Sequence, residues 1–286
     1  MALALSVVGQ PGTPFAFDYR WQDAALYALG VGAKREELDY LYEGRGPRVL
    51  PTFACAANYA ALGEAIDRVG ANKEMLVHGG HKMVFHRMPR PSGRLVSTSV
   101  VRAVYDLKRL AQLIVDIETR DGDHEPVALA TASILLRGEG GFGGEPPPRE
   151  VSPAAVPKDR PADFTIEEST SPEQALLFRL SGDLNPLHAD PAFAAEVGFT
   201  NGPILHGLAT YGFVFRHVVR GACGGDAGKL HMLDGQFRKP VWPGDTLVTR
   251  GWEVQPGLWA LQVKVRERDE AVLTGAWAQL RNPALG

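Results

Sequence analysis

Residues 204–219 read Ile204-Leu205-His206-Gly207-Leu208-Ala209-Thr210-Tyr211-Gly212-Phe213-Val214-Phe215-Arg216-His217-Val218-Val219. At 3.6 residues per turn, Leu208, Tyr211, Phe213, Val214, Phe215 and Val218 spread apolar surface over nearly every face of a helix. A helix apolar all round is a buried helix, so other structure must wrap it. The segments that follow, 245–254, 258–265 and 271–280, alternate apolar and polar residues between Gly and Asp turns, which predicts antiparallel strands. The same order occurs earlier in the chain. An apolar helical stretch over 51–66 precedes alternating strands over 95–105, 113–119 and 127–136.

The two halves echo each other in detail. Phe15-Ala16-Phe17 opens the first and Phe164-Thr165-Ile166 the second. Leu26-Tyr27-Ala28-Leu29-Gly30-Val31-Gly32 lines up with Leu177-Phe178-Arg179-Leu180-Ser181-Gly182-Asp183. The corners Pro89-Arg90-Pro91-Ser92-Gly93 and Pro240-Val241-Trp242-Pro243-Gly244 share one spacing. Between the halves, Gly138-Glu139-Gly140-Gly141-Phe142-Gly143-Gly144 and then Pro146-Pro147-Pro148 can hold neither helix nor regular strand. The expected organisation is a first repeat over 1–137, a semi-stiff linker over 138–162 and a second repeat over 163–286. The Gly-rich tract lacks a following Lys-Ser/Thr and does not open a helix, so it does not read as a phosphate loop.

Composition excludes several function classes. The chain has 286 residues with 45% apolar and 22% charged, ordinary for a globular protein. A formal net charge of −3 makes no electrostatic case for nucleic acid or an anionic membrane as partner. No apolar run is long enough to span a bilayer, and Met1 to Pro14 lacks the basic start of a secretory signal. The chain ends Pro283-Ala284-Leu285-Gly286, unlike a peroxisomal Ser-Lys-Leu address. Cys55 and Cys223 are too few for a disulfide framework, and a reducing cytoplasm is expected.

The chemistry is concentrated in Ser181-Gly182-Asp183-Leu184-Asn185-Pro186-Leu187-His188, followed by Ile204-Leu205-His206-Gly207-Leu208. Asp183 and His188 stand five apart on a Pro-containing loop, a spacing that lets both side chains face one water. Asn185 lies between them with its backbone restricted by Pro186. Gly207 opens the buried helix, where free backbone N–H groups and the helix dipole favour negative charge. The aligned positions of the first half carry no carboxylate, amide or imidazole; Gly32 stands where the second half has Asp183.

This pattern resembles the R-specific 2-enoyl-CoA hydratases, the hydratase 2 or MaoC-like group. Trp21-Gln22-Asp23-Ala24-Ala25-Leu26-Tyr27-Ala28-Leu29-Gly30-Val31-Gly32-Ala33 and the 137–144 run are similar to the N-terminal half of its long-chain members. The resemblance implies an α+β double hotdog, two antiparallel sheets each wrapped around a central buried helix. It implies reversible hydration of trans-2-enoyl-CoA to the (3R)-3-hydroxyacyl thioester without a cofactor or metal. Asp183 and His188 would be the acid/base pair, Asn185 an orienting group and Gly207 the donor to the thioester oxygen. It further implies that the first repeat binds the acyl tail, with Gly32 leaving room, and that the chain pairs as a homodimer. Arg238 and Lys239, before the Pro240 corner, are candidates for the coenzyme A phosphates.

Other readings stay open on sequence. Either Asp183 or His188 can take the proton from water, and the two can titrate as a coupled pair. A dehydratase of carrier-protein-bound acyl groups would use the same groups, and Asp106-Leu107-Lys108-Arg109-Leu110-Ala111 departs from the Asp-Lys-Gly turn of many relatives. A hotdog thioesterase would place a carboxylate on the central helix, and 204–219 has none. A non-catalytic acyl-CoA-binding module would not need Asp183, Asn185 and His188. Asp183, His188, Asp190 and His206 match no zinc spacing. His206 reads as a brace for its turn, and His78-Gly79-Gly80-His81 as a structural loop.

Overall fold

The computed structural model describes residues 3–149 and 151–281, leaving the 283–286 ending outside the described residues. One antiparallel sheet of ten strands organises these residues, in the order β1-β3-β4-β5-β2-β7-β10-β9-β8-β6. The first five strands are β1 (Phe15–Tyr19), β2 (Leu76–Phe85), β3 (Gly93–Asp106), β4 (Leu110–Asp121) and β5 (Pro126–Arg137). The second five are β6 (Phe164–Ser169), β7 (Leu230–Phe237), β8 (Thr246–Gln255), β9 (Leu258–Val265) and β10 (Glu270–Leu280). The helices are α1 (Trp21–Gly30), α2 (Leu38–Leu41), α3 (Ala54–Val69), α4 (Gln174–Phe178), α5 (Pro191–Glu196) and α6 (Gly207–Ala222).

All six strands expected from alternation form, with ends shifted by at most three residues. In β4, burial alternates along the strand, so one face lies on the core and the other on solvent. Both central helices also form. α3 packs across β1, β3, β4 and β5, and α6 across β2, β6, β7 and β8. α3 approaches through buried Ala54, Ala57, Ala61 and Ala65, whereas α6 fills its side with Phe213, Val214, Phe215 and Val218. No helix among the described residues is long and apolar enough to cross a membrane.

The expected pair of sheets is joined edge to edge. β2 pairs with β7 from Gly80↔Gln236 to Val84↔Met232, so each repeat covers the other's open edge. Here the reading of His78-Gly79-Gly80-His81 as a loop is corrected. These residues lie inside β2, with a bulge between His78 and Gly80. Gly79 is required because a Cβ there would stand 2.9 Å from Cγ of Leu135.

The repeats also meet through equivalent helices. Gln174 at the start of α4 donates from Nε2 to the carbonyls of Leu29 (2.9 Å) and Gly30 (2.7 Å) at the end of α1. Between Arg137 and Phe164 the described residues form no helix or strand. The Gly-rich tract there docks on the β3–β4 turn. The Asp106 carboxylate accepts N–H groups of Lys108, Gly141 and Gly143 at 2.7–2.8 Å.

Candidate active site

After α4 the chain makes a turn of 3-10 helix over Arg179–Ser181 and then reverses at Gly182, whose φ is +127°. Asp183 follows on the reversed segment. Its carboxylate accepts the Asn185 N–H at 3.2 Å, and the Asn185 Oδ1 accepts the Leu187 N–H at 3.0 Å. These two Asx-type bonds shape the loop and start the short 3-10 helix Pro186–His188. They are local in sequence, so the Asp-x-Asn-Pro segment itself carries the bonds that start its turn.

The imidazole of His188 is nearly buried and donates from Nδ1 to the Ile204 carbonyl at 2.8 Å. That bond fixes the neutral tautomer, leaving the Nε2 lone pair as the free basic site. Burial lowers the His188 pKa, opposed by the Ile204 bond and by the charge of Asp183. His206 is the residue just before α6. Its Nε2–H donates to the backbone carbonyl of Asp183 at 3.2 Å, and its ring stacks on His188 with centroids 3.6 Å apart and planes 27° apart. Burial, then the neighbouring His188, push His206 down to about 2, so it is a neutral brace between Asp183 and His188.

Ligand atoms of Asp183, His188 and His206 lie within 4.8 Å of one another. Nδ1 of His188 and Nε2 of His206 are each engaged by a backbone carbonyl, which leaves one ring nitrogen on each imidazole. Gly207, first residue of α6, stands at the same wall. A helix start leaves its first N–H groups without intrahelical acceptors. A Cβ on Gly207 would come 3.2 Å from the ring of Phe237, which lines the same cavity.

Asp183, Asn185, His188 and Gly207 line one cavity of about 630 Å³. Arg238 and Lys239 line it too, joined by Lys73 and Arg137 of the first repeat, which the sequence did not single out. Tyr59, Leu62 and Ile66 of α3, with Met75, Leu76 and Ile134, give the first repeat a large apolar share of the wall. Gly32 is the exception. It is buried in the packing between repeats at φ +89°, where a Cβ would meet Cε1 of Phe213 at 2.2 Å and Nη1 of Arg216 at 3.0 Å. Gly32 therefore makes room for α6 and not for an acyl tail, and its assignment to the tail site is corrected.

Sequence reasoning also missed the ion cluster beside Gly32. Arg216 of α6, itself buried, pairs with Glu168 of β6 at 2.9 Å and with Glu37 of the first repeat. Arg220 reaches the other Glu168 oxygen at 3.0 Å, and the buried His217 lies 3.4 Å from it. Burial pushes Glu168 upward, but His217 and Arg216 outweigh it and hold the acid at about 2.

Two repeats of helix and sheet, with one polar loop set against the start of a central helix, define the class of MaoC-like hotdog dehydratases. A crystal structure of a MaoC-like dehydratase from Phytophthora capsici matches with TM-score 0.85 over 99% of both chains at 28% identity. The MaoC like domain model matches residues 154–275, and the MFE-2 hydratase 2 N-terminal domain model matches 17–138. Similar along most of their length are the peroxisomal enoyl-CoA hydratase 2 of Arabidopsis thaliana, 36% identical over 91% of this chain and 89% of its own, and 3-hydroxyacyl-thioester dehydratase Y of Mycobacterium tuberculosis, 36% identical over 95% and 94%. The chain belongs to the hydratase 2 branch of the MaoC-like dehydratase family, as the motif at 181–188 implied.

Proposed function

We propose that the chain is a hydro-lyase that hydrates trans-2-enoyl-CoA to (3R)-3-hydroxyacyl-CoA and runs the reverse dehydration. The second repeat, 163–286, carries the chemistry; the first, 1–137, holds the acyl tail; and 138–162 links them. The observation that carries this reading is the free Nε2 of His188, fixed by the Nδ1 bond to Ile204, beside Asp183 in the cavity that Gly207 also lines. A water shared by Asp183 and His188 Nε2 loses a proton as its oxygen attacks C3, and the pair returns a proton to C2 on the same face. The Gly207 N–H and the 16-residue α6 behind it stabilise charge on the thioester oxygen. Asn185 holds the loop in shape.

Arg238 and Lys239 at the cavity, with Lys73 and Arg137, are suited to the coenzyme A phosphates. The names of the relatives, one an enoyl-CoA hydratase and one a 3-hydroxyacyl-thioester dehydratase, support both directions of one reaction. Leu29 at the end of α1, Leu176 in α4 and Leu180 in the turn after it are large exposed apolar groups, on elements that pack together. This patch supports a homodimer. A cytoplasmic location is proposed from the two free, buried cysteines. The test of function is incubation with crotonyl-CoA and a medium-chain enoyl-CoA, following loss of the conjugated thioester. No loss with either substrate would overturn the reading.

A further inference from the structure

We propose that Tyr59, from the first repeat, is a positioning residue for Asp183 of the second. This rests on Asp183 being a reacting group. Tyr59 lies on α3, and its side chain forms part of the cavity wall that Asp183 also lines. The chain immediately before Asp183 rests on its ring. A Cβ added to Gly182 would stand 2.8 Å from Cδ2 and 3.2 Å from Cε2 of Tyr59. Gly182 is thus doubly required, by its φ of +127° and by the ring beneath it.

On the other side the Asp183 carbonyl is held by Nε2 of His206. Asp183 therefore sits between a ring from one repeat and an imidazole from the other. The ring, not the hydroxyl, does the holding, because the buried phenol oxygen makes no hydrogen bond among the described residues. Burial and the Asp183 charge also raise the phenol pKa well above its usual range, so it stays neutral beside the carboxylate.

Shortening this support frees the loop to shift. A displacement of about 1 Å at a reacting group can cost about 100-fold in rate. The experiment compares kcat and KM for crotonyl-CoA in the wild-type chain, Tyr59→Ala, Tyr59→Phe, Asp183→Asn and the Tyr59→Ala/Asp183→Asn double variant. Tyr59→Leu replaces the alanine variant if that chain does not fold.

The proposal expects Tyr59→Ala to lower kcat about 10–100-fold, with KM changed less than about threefold. Tyr59→Phe restores most of kcat, and adding Tyr59→Ala to Asp183→Asn costs less than about twofold more. A raised KM with unchanged kcat would make Tyr59 only cavity wall and overturn the proposal. Losses that multiply in the double variant, or a Phe variant as poor as Ala, would overturn it as well. Activity retained in Asp183→Asn would instead remove the role of Asp183 itself, a separate failure.

Discussion

At the residue scale, the weight falls on one tautomer. The Ile204 carbonyl takes the Nδ1 proton of His188, and the remaining lone pair is the site that can move a proton. Asp183→Asn keeps the shape and removes one member of the proposed acid/base pair, so turnover should fall roughly 10²–10⁴-fold in a folded protein. His188→Ala should fall by a similar factor, and the double variant should be little worse than either single one. Strictly multiplied losses would assign the two groups to separate steps. Asp183 and Asn185 were legible as a loop in sequence because the hydrogen bonds that shape it span two residues each, whereas the anchor of the His188 ring, the Ile204 carbonyl, lies sixteen residues further on. Gly32 was misread because repeat alignment supplies a position without its neighbours, and Phe213 lies far along the chain. Gly32→Leu should accordingly destabilise the protein and reduce activity alike for short and long enoyl-CoA. A selective loss with long chains would restore the tail assignment.

At the element scale, α3 presents Tyr59, Leu62 and Ile66 to the cavity, three positions on one helix face. Leu62 and Ile66 of this stripe carry the proposed selectivity. Leu62→Trp should raise KM for a medium-chain enoyl-CoA several-fold while changing crotonyl-CoA by less than about twofold. Equal effects on both would point to a packing defect. The same scale shows where periodicity ran out. β3, β4, β5, β8, β9 and β10 announced themselves by alternation between clear turns. β2 and β7 did not, because Gly79-Gly80 and Asp234-Gly235 lower strand propensity where the two repeats pair at the centre of the sheet. The helix boundaries drifted for a related reason. Ile204 and Leu205 belong to the apolar run by hydropathy, yet α6 starts only at Gly207, after His206, which braces Asp183.

At the scale of the whole molecule, the repeats are held together by β2–β7 pairing, by Gln174 on α1, and by Arg216 between Glu37 and Glu168. Arg216→Met would leave the buried Glu168 with the half-exposed Arg220 as its nearest remaining arginine and take the Arg216 partner from Glu37, and a loss of about 3 kcal/mol on chemical denaturation is expected. Acid should act on the same core. Burial lowers the pKa of His78, His81, His188, His206 and His217 below the unfolded value. The unfolded chain then binds more protons below about pH 6.5, so this stability is present above that pH and is lost as pH falls. Each such histidine contributes a slope of up to about 1.4 kcal/mol per pH unit until its folded pKa is reached. Glu168, held at about 2, adds a loss below about pH 4.5 as the pH falls toward that value. The urea midpoint should be lower at pH 5.5 than at pH 7.5; an unchanged or higher midpoint would contradict this account of the core.

The whole arrangement bears on one outcome. On the proposed mechanism, a water held by Asp183 and His188 reaches a single face of a planar enoyl thioester whose oxygen is fixed at Gly207. Chiral analysis of the 3-hydroxyacyl-CoA formed from crotonyl-CoA tests this most directly. The account predicts the (3R) product; an S product would mean that the substrate lies the other way round, and would contradict the roles assigned to Asp183, His188 and Gly207.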